Sequence, residues 1–155
     1  MLKTSQLGLF ESAELNMNSA VINLCDCFGN VSCQNNILFR VKYPGAYAAD
    51  LRTHKGDKHK LGTVSFVIVN GIIAINAYVC YNFIDQRSII DGTLFDFTNL
   101  LSCMYQVSSI LADFPGCTLF ISAGSFIKFD FNHREIIRLM DYISRSFPND
   151  IVLTV

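Results

Sequence analysis

Val21-Ile22-Asn23-Leu24-Cys25-Asp26-Cys27-Phe28-Gly29-Asn30 leads through a helix-like segment into Lys42-Tyr43-Pro44-Gly45-Ala46-Tyr47-Ala48-Ala49-Asp50-Leu51, and then into Lys55-Gly56-Asp57-Lys58-His59-Lys60-Leu61-Gly62-Thr63. The reading of Val21 to Ser65 decides the fold. Physically it is a buried strand, a turn carrying a carboxylate, a helix whose N-terminus faces that turn, and a polar return loop. Ala20 to Cys25 is a β-rich run of the kind that makes a central strand. Gly29-Asn30 is the pivot of the turn that follows. Ser32 is the expected N-cap, after which Cys33, Ile37, Leu38 and Val41 recur on one helical face. Tyr43 precedes a proline and should end that helix. Pro44 suits a first turn, so a second short helix is expected through about Leu51. Strand-to-helix turns of this kind are where α/β proteins commonly place ligands.

Downstream, Val64 to Val79 is apolar except at its middle, where Asn70-Gly71 signals a hairpin. A buried Asn76 would be costly in lipid, so the run reads as two core strands and not a membrane span. After a loop from Tyr81 to Thr93, Phe97, Leu100, Leu101, Met104, Val107, Leu111 and Phe114 form the stripe of a long amphipathic helix that Pro115-Gly116 ends. Thr118 to Ser122 is another buried strand. Asn132, with Glu135 three residues on, starts a helix whose buried face is Ile136, Met140, Ile143 and Phe147. Asp150 to Val155 is a terminal strand. Upstream, Leu7 to Phe10 is a short apolar segment, and Glu11 to Ser19 is polar with no clear signal. This order of elements predicts a three-layer α/β domain, a central mixed β-sheet flanked by helices, spanning residues 1–155.

Composition sets the outer bounds. A chain of 155 residues that is 51% hydrophobic and 16% charged has the means to bury a core, which excludes disorder. A net charge of -1 gives no general attraction to nucleic acid or to an acidic membrane. The basic run from Arg52 to Lys60 has no interleaved aromatic residues for base stacking and reads as a polar surface loop. The first residues carry no secretion pattern, so a cytoplasmic protein with reduced, mostly buried thiols is expected. Cys25, Cys27 and Cys33 have poor zinc spacing and read as core; no metal and no cofactor is expected.

Lys42-Tyr43-Pro44-Gly45-Ala46-Tyr47 and Gly56-Asp57-Lys58-His59-Lys60-Leu61-Gly62, with Leu7-Gly8-Leu9-Phe10-Glu11 and Asn76-Ala77-Tyr78, carry a resemblance along nearly the whole chain. In combination they resemble the framework of macro domains, the ADP-ribose-binding modules. The branch they resemble is the small single-domain one that includes ADP-ribose-1″-phosphate phosphatases and terminal ADP-ribose glycohydrolases. Proteins of this branch also occur among those encoded by tailed bacteriophages, in which case the compartment would be the host cytoplasm.

The ligand-facing positions depart from the family's pattern. The acidic residue that would contact adenine is replaced by Leu7 or Gly8. Where the family has a Met-Gly-x-Gly-Ile-Ala loop, this chain reads Val31-Ser32-Cys33-Gln34-Asn35-Asn36, with Gln34 at the second glycine. The second phosphate loop resembles Gly-x-Gly-Leu-x-Gly in the family. Here it is Ser122-Ala123-Gly124-Ser125-Phe126-Ile127-Lys128-Phe129. A diphosphate cradle needs backbone N–H groups with no side chain in the way. The ligand-loop positions implied by the resemblance are thus Asp26, Gly29, Ser32, Gln34, Gly124, Ser125, Phe126 and Ile127. The family's adduct-forming lysine falls near Cys80, and its partner aspartate near Phe129 or Asp130.

Asp26, Cys80 and Asp130 are therefore the catalytic candidates. Asp26, beside a helix N-terminus, would be held ionised there; equally, it would cap its own turn. Cys27 and Cys80 have no neighbouring His or Lys in sequence to activate them and read as core. The expected function is a degenerate macro-like domain that has lost ADP-ribose binding and catalysis and acts as an accessory module with a protein partner. The alternative is binding or hydrolysis of an ADP-ribose derivative. If Phe126, Ile127 and Phe129 fill the old cleft they should pack inward over the strand ends; left exposed, they would mark a partner surface.

Overall fold

The chain runs β1 (Leu2–Ser5), α1 (Leu9–Glu14), β2 (Ser19–Asp26), α2 (Gln34–Lys42), α3 (Pro44–Leu51), β3 (Val64–Val69), β4 (Ile72–Cys80), α4 (Phe97–Leu111), β5 (Thr118–Ser122), α5 (His133–Ser144) and β6 (Ile151–Thr154). Short 3-10 turns cover Lys58–Lys60 and Ala123–Phe129. The computed structural model describes residues 1–31, 33–84 and 95–155, the side chains of residues 127 and 128 excepted. Ser32, the side chain of Ile127 and the loop expected up to Thr93, from Asp85 on, lie outside the described residues.

The strands form one six-stranded mixed sheet in the order β1-β6-β5-β2-β4-β3. All neighbours are parallel except β3 and β4, which form the predicted hairpin with Val69 opposite Ile72. Its turn residues Asn70 and Gly71 have φ of 51° and 79°. Both are left-handed, as a two-residue hairpin loop requires. β2 lies between β5 and β4 and is buried along its whole length.

Strand alternation divides the core between the two faces of the sheet. Ala20, Ile22 and Leu24 of β2 and Ile73, Ile75, Ala77 and Val79 of β4 meet α4 and α5 on one face. Val21 and Ala74 meet α1, α2 and the start of α3 on the other, through Leu9, Phe39, Tyr43 and Ala46. The three layers are those predicted. α5 begins at the expected capping box, with Glu135 N donating to Asn132 Oδ1 at 3.0 Å and Asn132 N to Glu135 Oε2 at 2.8 Å. Ile136, Met140 and Ile143 form its buried face as expected; Phe147 is buried too, but lies beyond the end of the helix at Ser144.

Four local readings change. The Glu11–Ser19 stretch is not featureless: Leu9 to Glu14 is helical, because Leu9 and Ala13, one turn apart, both reach the core. β1 was not anticipated; it is short and pairs only with β6 at the sheet edge. The α4 helix stops at Leu111, short of Phe114. Most consequentially, the apolar stripe expected on α2 faces outward: Ile37 is 45% exposed, Leu38 40% and Val41 75%. Asn36, Phe39 and Tyr43 are buried instead. Asn36 turns inward because its side chain finds buried partners on β2, described next.

Candidate functional site

The β2–α2 turn is organised by Asp26, which is fully buried. Its Oδ1 accepts Phe28 N at 3.0 Å and Asn30 N at 2.9 Å, and its Oδ2 accepts Asn30 Nδ2 at 2.7 Å and Phe83 N at 2.9 Å. The carboxylate therefore serves as an internal anion for backbone N–H groups of the turn and of the segment after β4. Gly29 follows with φ of 73°, and its carbonyl accepts a hydrogen bond from Arg40 Nη2. Cys80 stands opposite Asp26 in the β2–β4 ladder and is buried, with Phe83 and Phe129 packed beside it. Asp130 is exposed, with φ of 61°, and does not join them.

The second loop is wound into the 3-10 turn Ala123–Phe129. Phe126 is 0% exposed and belongs to the main core, edge-on to Phe131 at 6.3 Å between ring centroids. Ser125 is buried as well. Phe129 packs between Phe83 and Phe95, at 5.9 and 4.8 Å. The expected inward packing holds for Phe126 and Phe129. Gly124 N donates to Ser122 Oγ at 3.1 Å, and the same oxygen accepts Asn35 Nδ2 at 2.7 Å. A Cβ on Gly124 would come within 3.2 Å of Asn35 Nδ2, so this glycine admits a side chain from the facing helix. Gln34 opens α2 with an exposed side chain.

A second polar group lies on the α2–α3 face of the sheet, where sequence reading had placed only core and solvated loop. Asn23 and Asn76 are register partners on β2 and β4, with Asn23 Nδ2 donating to Asn76 Oδ1 at 3.4 Å. Asn36 Nδ2 donates to Asn23 Oδ1 and to Leu24 O, and Asn76 Nδ2 to Ala46 O at 2.8 Å and Ser65 Oγ at 3.1 Å. Next to it, Tyr78 Oη donates to Asp50 Oδ1 at 2.7 Å, and Lys60 Nζ stands 3.5 Å from the same oxygen and 4.3 Å from the centre of the Tyr78 ring. Asp50 and Lys60 are buried, so Lys60 is not part of a solvated basic loop. The available signals were Asn residues at matched points in two apolar strands and an aspartate closing an otherwise apolar helix.

Burial decides the electrostatics of the thiols. It pushes Cys25 well up, with the nearby Asp50 and Asp26 carboxylates adding to the effect, and pushes Cys27 up to about 11. Both are held as thiols at neutral pH, which makes them poor nucleophiles. Burial also raises the Tyr78 hydroxyl, and Asp50 raises it further. Among the described residues, no group of three His, Cys, Asp or Glu is placed to hold a metal ion. No helix among them is long and apolar enough to cross a membrane.

No protein-family model and no curated protein matches the sequence. Solved structures do match the fold. The macrodomain of Mycobacterium tuberculosis DarG aligns over 99% of this chain and 97% of its own, with 12% identity and a TM-score of 0.73. A macrodomain protein from Streptomyces coelicolor aligns over 98% of both chains, with 12% identity and a TM-score of 0.68. Thermosipho africanus DarTG, solved in complex with ADP-ribose, aligns over 98% of this chain and 41% of its own, with 10% identity and a TM-score of 0.69. With its mixed six-stranded sheet and flanking helices matching those proteins, the chain has the macrodomain fold.

Proposed function

We propose that this chain is a macrodomain whose ligand cleft is closed by its own side chains, and that it acts as an accessory module toward a protein partner, not as an ADP-ribose binder or hydrolase. The observation that carries this reading is the Asn35–Ser122 hydrogen bond, 2.7 Å long. By the resemblance, a diphosphate would lie between the start of α2 and the loop after β5, and these two are tied to each other here. Asp26 supports the same reading, since its carboxylate already takes the turn N–H groups that would face an anion and adds a negative charge beside them. Phe126 supports it from the other loop, as a core side chain within the loop where the resembled family is glycine-rich. Asp26, Cys80 and Asp130 then have no catalytic role. In keeping with the small branch it resembles, the module would work in the cytoplasm.

The partner surface we assign is the outward face of α2, where Ile37, Leu38 and Val41 stand exposed. Exposed apolar residues grouped on one helical face are the usual anchors of a protein contact. Calorimetry with ADP-ribose tests the closed cleft. Loss of two phosphate cradles removes several charge-assisted hydrogen bonds of ~1.5–3 kcal/mol each, so no saturable binding is expected below about 1 mM. Low-micromolar binding would overturn the reading and restore the enzyme alternative.

A further inference from the structure

We propose that the cleft between the β2–α2 turn and the end of α3 binds a small, neutral, planar heterocycle with a lactam edge, an N–H donor beside a carbonyl acceptor, as in a pyrimidine base. The cleft has a volume of about 170 Å³ and is bordered by Phe28, Gly29, Tyr47, Asp50, Thr53 and Lys60. That space suits a single ring and is too small for a nucleoside diphosphate. It uses neither Asn35 nor Ser122, so its occupancy is independent of the closed ADP-ribose cleft.

Two charged side chains give the cleft its chemistry. Asp50 and Lys60 are 9% and 8% exposed and form an ion pair, so the buried part of the cleft carries no net charge, and the third charged residue of its lining, Lys55, is exposed to solvent. A charged ligand would upset that balance in a poorly solvated place; a neutral one would not. Asp50 Oδ1 is engaged by Tyr78 Oη and faces Lys60. Asp50 Oδ2 takes no hydrogen bond from any described residue and faces Gly29, where a Cβ would lie 3.6 Å from it. Lys60 Nζ has three donors, but its polar contacts, to Cys27 O at 3.4 Å and Asp50 Oδ1 at 3.5 Å, are at the long end of hydrogen bonding. The cleft thus offers an acceptor on Asp50 and a donor on Lys60 side by side. A lactam edge meets both at once with no internal rotation to freeze. The rings of Phe28 and Tyr47 supply apolar wall for the flat body of the ligand.

The test uses the intact chain with uracil, uridine and 1,3-dimethyluracil as probes, followed by ligand-observed NMR and calorimetry. Uracil should bind saturably, while 1,3-dimethyluracil, which has no N–H donor, should bind ~10-fold or more weakly, the loss of one charge-assisted hydrogen bond. Uridine binding as well as uracil would mark the base as part of a larger molecule; uracil alone would mark the free base. Gly29→Ala sets a methyl beside Asp50 Oδ2 without altering any charge, at the cost of backbone strain because Gly29 has φ of 73°, and Asp50→Asn replaces that acceptor with a donor. Each should weaken uracil ~10-fold or more. Folding of both is checked by thermal melting, and Gly29→Ala remains informative if Asp50→Asn fails to fold. No uracil binding at 10 mM marks a merely solvent-filled cleft and overturns the proposal. So does equal binding of uracil and 1,3-dimethyluracil, or a folded Gly29→Ala that binds uracil like the parent chain.

Discussion

Asn35 and Ser122, 87 residues apart, meet through a 2.7 Å hydrogen bond that joins the first turn of α2 to the C-terminal end of β5. Ser122 Oγ also accepts Gly124 N, so one hydroxyl holds helix, strand and loop together. Asn35→Ala should lower stability by about 0.5–1.5 kcal/mol, the net value of one partly buried hydrogen bond. Urea denaturation measures it. The same variant should not acquire ADP-ribose binding, since Asp26 and Phe126 still hold the turn and the loop. Micromolar binding by Asn35→Ala would assign the proposed closure of the cleft to this single bond.

Phe126→Ala should be far more damaging. The ring is wholly buried in the main core and packs edge-on against Phe131. Truncation of a core Phe costs about 3–5 kcal/mol, through lost transfer free energy and the cavity left behind. Ile37→Ser on the outward face of α2 should stay within about 0.5 kcal/mol of the parent. Comparing the two by denaturant titration separates a core plug from a surface contact. In pull-down, Ile37→Ser together with Val41→Ser should lose the partner while the fold persists.

These contrasts also show what could be read without coordinates. The hairpin was legible because Asn70-Gly71 demands left-handed φ at both turn positions, and α5 because its capping box and apolar period agree. α2 was misread for a physical reason. Ile37, Leu38 and Val41 point to solvent, and a buried Asn36 is stabilised by Asn23 and Leu24 O, partners that lie outside its own helix. Periodicity sees hydrophobicity along one element and cannot see a hydrogen bond to another. Lys60 was misread likewise, since only the fold brings Asp50 and Tyr78 to it. Phe126 was legible as a departure from the family's glycine loop, and the structure supplies its destination.

Asp26 provides a sharp test of a structural against a chemical role. Each carboxylate oxygen accepts two hydrogen bonds, so an amide can replace only one side. In Asp26→Asn, the new Nδ2 would face N–H groups instead of an acceptor. Hydrogen bonds to charged groups are worth about 1.5–3 kcal/mol each, so Asp26→Asn should cost about 3 kcal/mol or more, nearly as much as Asp26→Ala. Hydrogen exchange should show lost protection at Phe28, Asn30 and Phe83. A variant as stable as the parent would mean that the carboxylate is free for chemistry.

The buried thiols predict how stability changes in alkali. Burial raises Cys27 to about 11 and Cys103 to about 12, from an ordinary value of 9.0. Tyr43 is raised by burial, with a contribution from Glu14, to about 12 from 10.0. These groups are neutral when protonated, and the folded state holds their protons more tightly than the unfolded chain does. Their contribution to stability is therefore complete below about pH 9 and is lost as pH rises toward 11–12, because the unfolded chain gains by releasing protons first. Urea midpoints should accordingly be flat from about pH 7 to 8.5 and fall above pH 9, and Cys103→Ala should fall less steeply than the parent chain. Thiol labelling checks the same burial independently. Near pH 8, half-buried Cys33 should react first in the folded protein, with Cys25, Cys27, Cys103 and Cys117 reacting only on unfolding. Rapid labelling of Cys27 or Cys103 in the native state, or a urea midpoint that rises above pH 9, would contradict the packing around them.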